Sequence, residues 1–250
     1  MAGRSEEPYS DSEGGPEFPD HEVSSSFGTK GGEPPVADEV FEPRLADPAR
    51  SRVVLIGSAS YADFENLPAV AAGVRDLAAL FTTAALWGLP AENLTIHLDT
   101  SLVEAMAAVR KAAAEAEDAI LVYFAGHGVR GPDGELKLAF QDSVVTATET
   151  MLPFRYLQEA MAGSRAGTRA MILDCSYAGA ADPQRGITHL LAAAGAVIQA
   201  RAGSGGAHTA FTGELISALA QGVRGGPELL HLDQVGREVT RRCERKALPI

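Results

Sequence analysis

Residues 168–182 read TRAMILDCSYAGAAD, an apolar run that stops at Asp174 and opens into a short polar loop. A continuous apolar run bounded by turn residues suits a strand covered on both faces. Asp174, Cys175 and Ser176 stand together at its end. Similar runs occur at RVVLIG (52–57), LTIHL (94–98), AILVYFA (119–125) and GAVIQAR (195–201). Between them the apolar period becomes helical, at 69–86, 101–117, 153–163 and 210–222, with 232–246 last. Ser101 with Glu104 forms a capping box, and Pro153 is expected at a first helical position. GPDGELKLAF (131–140) reads as a turn followed by a short extra strand. Strands alternating with helices imply an α/β fold with a mostly parallel central sheet. In such sheets ligands bind beyond the carboxyl ends of the strands, a rule that selects the loops after Ala125 and after Leu173.

The chain has 250 residues, 46% of them apolar, enough for one good-sized core. Residues 1–50 do not fit that core. They hold twelve Asp and Glu against four Lys and Arg, a net of −8 out of −12, and seven of the fourteen prolines. This composition buries too little apolar surface to offset ordering entropy, so residues 1–50 are expected to be a disordered acidic segment and 51–250 the folded domain. No basic stripe exists to neutralise phosphates, which argues against nucleic acid as a partner. No signal peptide and no membrane-spanning run is visible, and a cytoplasmic chain is expected. Cys175 and Cys243 are the only cysteines, too few for a disulfide framework or a zinc site, and no motif calls for a metal or cofactor.

The first selected loop is GHGVRG, with His127 between Gly126 and Gly128. Two flanking glycines leave an imidazole in open space and let the next amide N–H approach a ligand. Exposure suits a general base, and close approach suits an oxyanion donor. A loop histidine in a tight turn would look the same.

VYFAGHG, followed about fifty residues later by ILDCSYAG, resembles the caspase-like peptidases of clan CD (peptidase C14), within them the metacaspase and bacterial caspase-homologue branch. The resemblance covers roughly 52–245 and includes HTAFTGELISALAQG, similar to the start of the family's small-subunit helix. It implies a three-layer α/β/α sandwich and a cysteine endopeptidase, with His127 as base and Gly128 N–H as oxyanion donor. Aligning Asp174 and Gly179 to the family's Asp and Gly puts Ser176 at the nucleophile position and Cys175 on the intervening residue. Bacterial members often carry two adjacent cysteines there, the second catalytic. Because neighbours in an extended chain face opposite sides, Cys175 and Ser176 cannot both face His127. Cys175 also reads as a small buried residue at a strand end. A serine at the nucleophile position is either a replaced nucleophile or the mark of a catalytically dead relative that binds peptides or regulates.

In metacaspase-like relatives the Asp matching Asp174 lines the S1 pocket, which implies cleavage after Arg or Lys of a protein or peptide substrate. Asp142 is a candidate second acidic wall, against its reading as a solvated loop carboxylate. The family's frequent Ser two before the His is here Ala125. The resemblance also implies a proteolytic effector in bacterial defence or regulated death, with a regulatory partner or further domains conceivable. Self-processing is expected, if it occurs, at Arg44, Arg50 or Arg185. His97 and Trp87 read as structural, and His208 lies in a Gly-rich loop. A nucleotide-binding reading is disfavoured, since the first strand ends in GSASYADF without spaced glycines.

Overall fold

The computed structural model describes residues 44–181, 186–193 and 207–246. Its centre is a sheet of five parallel strands in the order β2-β1-β3-β7-β8, formed by β1 (Arg52–Gly57), β2 (Leu94–Leu98), β3 (Ala119–Gly126), β7 (Thr168–Cys175) and β8 (His189–Ala192). A second, antiparallel sheet joins β4 (Gly128–Arg130), β5 (Leu136–Leu138) and β6 (Leu152–Pro153). The α-helices among the described residues are α1 (Pro68–Thr82), α2 (Leu102–Glu115), α3 (Phe154–Ala162), α4 (Ala210–Gln221) and α5 (Leu232–Arg245).

Strand alternation builds both hydrophobic layers. Val54, Ile56, Val122, Phe124, Met171 and Leu173 point to one face and pack with Met106, Val109, Leu157 and Met161 of α2 and α3. Their neighbours Val53, Leu55, Tyr123 and Ile172 point to the other and pack with Val74, Leu77, Leu215 and Val239 of α1, α4 and α5. The result is the expected three-layer α/β/α sandwich with a mostly parallel sheet. Each fully buried Val, Leu or Phe contributes about 1.5–3 kcal/mol, and this two-sided covering accounts for the continuous apolar runs VVLI in β1, AILVYFA in β3 and AMIL in β7.

The boundaries differ from expectation in places, each with a local cause. The first helix stops at Thr82, not Leu86, because Thr83 turns extended and its carbonyl collects the N–H groups of Leu86, Trp87 and Gly88. Pro153 caps α3 and pairs in β6 instead of occupying the first helical position. The Ser101–Glu104 capping box is present. The expected strand at 195–201 lies outside the described residues, and the fifth strand of the sheet is His189–Ala192.

The folded body reaches back to Arg44, several residues before the expected boundary at 51. Asp47 caps a short 3-10 turn over Pro48–Arg50, and the Trp87 indole donates to the Ala46 carbonyl at 2.8 Å. Arg44 forms a two-pronged pair with Asp118, and Arg50 pairs with Glu117 at 3.0 Å. Residues 1–43, like Arg185, lie outside the described residues. No helix among the described residues is long and apolar enough to cross a membrane.

Candidate active site

Parallel pairing of β3 with β7 sets Ala125 opposite Asp174 and Gly126 opposite Cys175. The next residues, His127 and Ser176, therefore leave adjacent strand ends at the same level. Cys175 lies 4% exposed in the α2/α3 layer, and Ser176 begins the turn that follows β7. The His127 ring lies against the loop that connects β1 to α1.

That loop holds the imidazole in three ways. The Tyr61 phenol oxygen accepts the His127 backbone N–H at 3.0 Å, with the two rings edge to face at 4.9 Å. The Phe64 ring stacks on the imidazole with centroids 5.1 Å apart and planes inclined by 29°. The Glu65 carbonyl lies 2.8 Å from Nε2. A carbonyl only accepts, so Nε2 carries the hydrogen and Nδ1 keeps its lone pair for a proton. The sequence gives no sign of this third group, because a backbone carbonyl is present at every residue.

The glycines around His127 are explained by what presses on them. A Cβ on Gly126 would come within 2.7 Å of the Tyr61 phenol oxygen. One on Gly128 would collide with the Ser176 carbonyl oxygen and lie 3.1 Å from the Cys175 sulfur. The Ala139 N–H to His127 carbonyl bond and the Gly131 N–H to Glu135 carbonyl bond fix the β4–β5 ladder. In that register Gly128 opposite Leu138 is a non-hydrogen-bonded pair, so the Gly128 N–H points away from β5. It is a donor outside the ladder, beside Ser176.

Asp174, expected to line the S1 pocket, is held by threonine hydroxyls. It is 6% exposed beneath the N-terminus of α4, where it accepts hydrogen bonds from the hydroxyls of Thr209 and of Thr212, the latter at 2.5 Å. The Tyr123 phenol in turn lies 2.6 Å from the Thr212 hydroxyl. Alternation along β7 points Asp174 to the α4 side, and a helix N-terminus is a favourable place for a carboxylate. Burial nevertheless pushes its pKa up, opposed by the two threonine bonds. Burial, with Asp174 nearby, also drives the Cys175 thiol far above the ordinary range, leaving it unsuited to act as a thiolate. Asp142 is exposed on the turn after β5, whose Gln141 carbonyl accepts the Ala62 N–H at 3.0 Å. His208 binds Asp76 of α1 at 2.6 Å, which gives it a structural partner.

The family model of the caspase domain, peptidase C14, matches residues 50–249. The chain belongs to the caspase-domain peptidase family. No curated protein matches. Among solved structures, caspase-1 from Spodoptera frugiperda is similar at a TM-score of 0.55 and 12% identity, over 77% of this chain and 76% of that one. At that identity the likeness concerns the fold. Membership of that family implies a cysteine-peptidase scaffold.

Proposed function

We propose that this caspase domain is an endopeptidase scaffold for protein substrates with Arg or Lys at P1, slowed by the serine at position 176. The observation that supports the reading is that His127 and Ser176 directly follow the paired strand ends Gly126 and Cys175, with Gly128 packed against the Ser176 carbonyl. In the proposed step the Ser176 hydroxyl oxygen attacks the scissile carbonyl and its proton passes to His127 Nδ1. The Gly128 and Ser176 N–H groups hold the oxyanion. The C–N bond breaks as His127 returns the proton to the leaving amine, and water then hydrolyses the ester. A thiol ionises near ~8.5 and a hydroxyl far less readily, so serine makes the slower nucleophile with the same base.

The preference for basic residues is supported by the family resemblance and by the carboxylates of Asp63, Glu65 and Asp142 on the surrounding loops. Asp174 joins them only where a P1 cation draws it from its threonine bonds. The role in bacterial defence, and the cytoplasmic setting, rest on resemblance and composition. The second reading, a catalytically dead module that binds peptides, is favoured by Ser176 itself. One experiment separates the two. Arg- and Lys-containing fluorogenic peptides are offered to the native chain, to Ser176→Cys and to Ser176→Cys/Cys175→Ala. Cleavage gained in both variants supports the endopeptidase reading; silence in both, with peptide binding by calorimetry, supports the module.

A further inference from the structure

The β1–α1 loop delivers three contacts to one histidine, and the loop is itself tied down. Asp99, held at φ 51°, accepts the N–H groups of Ala59 at 2.7 Å and Ser60 at 2.9 Å through one carboxylate oxygen. Asn66 accepts the Tyr61 N–H at 2.8 Å, and Asp63 accepts the Val145 N–H at 2.8 Å. Leu67 closes the loop with an N–H to the Ala59 carbonyl at 2.7 Å. Tyr61 therefore does not follow His127; it is fixed independently and His127 is set against it.

We propose that Tyr61 and Phe64 are positioning residues that hold His127 in a single tautomer and ring plane. The phenol oxygen fixes the depth of the His127 backbone by accepting its N–H. The Phe64 face, nearly parallel to the imidazole, blocks rotation about the bond that joins ring and Cβ. Rotation of the ring would take Nε2 off the Glu65 carbonyl and free either nitrogen to carry the hydrogen. With both aromatic residues in place, Nδ1 is the nitrogen left to take a proton. The Tyr61 hydroxyl also accounts for Gly126, whose Cβ would crowd it. The catalytic meaning of this arrangement rests on the endopeptidase reading, but the arrangement can be tested without it.

The test uses the native chain labelled with 15N histidine. His127, assigned by its loss in His127→Gln, should show one Nε2–H tautomer at neutral pH. Phe64→Leu should give a mixture of both tautomers, and Phe64→Tyr should restore the single one. Tyr61→Phe keeps the ring but removes the acceptor, so exchange of the His127 amide hydrogen should accelerate about tenfold or more. A single tautomer surviving in Phe64→Leu, or an unchanged His127 amide in Tyr61→Phe, overturns the proposal. In the Ser176→Cys background, Phe64→Leu should lower kcat roughly tenfold with KM little changed, a fraction of the 10²–10⁴ that general-base catalysis contributes. If Ser176→Cys cleaves nothing while the tautomers still shift in Phe64→Leu, the endopeptidase reading fails and the positioning role stands.

Discussion

Gly128 shows how much one missing carbon decides. A Cβ there would collide with the Ser176 carbonyl, and its N–H is a donor left out of the β4–β5 ladder. Gly128→Ala would have to push the Ser176 peptide and the Cys175 sulfur aside. We expect a loss of about 1–3 kcal/mol of stability, the usual cost of overpacking a tight site, measurable by urea unfolding. Any activity of Ser176→Cys should fall further than stability accounts for, since the Ser176 N–H moves with its peptide. The two residues at the strand ends were legible in the sequence because period-two alternation and spacing need no tertiary knowledge. The Glu65 carbonyl and the contacts of Tyr61 and Phe64 were not legible, because they arise only when the loop folds back over His127. The hydrogen-bond partners of Asp174 were hidden for the same kind of reason: Thr209 and Thr212 are 35 and 38 residues away.

At the scale of elements, that Asp174 cluster joins the end of β7 to the start of α4. The chain of bonds runs from Tyr123 on β3 through Thr212 to Asp174. Asp174 has its pKa raised by burial, so its folded value exceeds its unfolded one. Such a group gives its full stabilisation below the ordinary carboxylate value, and loses it as pH rises through the folded value. Asp174→Asn should remove that downward slope of stability with rising pH, checked by urea unfolding across pH 4–8. A slope equal to that of the native chain would contradict the assignment. Elements with strong patterns were readable from sequence, as AILVYFAG and TRAMILDC show. HLLA at 189–192 was not, because a short apolar run rich in alanine fits a helix as well as a strand, and only pairing with β7 decides it.

For the molecule as a whole, acid is the condition that tests its ion pairs. Hydrogen bonds from Arg44 hold Asp118 at about 2, and bonds from Arg241 and Arg242 hold Glu238 at about 2. Both values are depressed, so their contribution is present above the ordinary carboxylate range and is lost as pH falls towards 2. Arg44→Ala should therefore lower stability at pH 7, with the gap to the native chain closing as pH falls from about 4 to 2; a constant gap would show that Asp118 is not involved. The two cysteines offer a different view of the same molecule. Cys175 is sealed in the layer under α2 and α3, and Cys243, pushed up to about 11 chiefly by burial, in the layer under α4 and α5. To an alkylating reagent the native protein has no accessible thiol, so the rate of labelling becomes a clock for its opening. Each layer carries one hand of that clock. Equal rates at the two sulfurs, read by peptide mass after timed alkylation, would mean that the sandwich opens in one event, and unequal rates would show which side of the sheet comes away first.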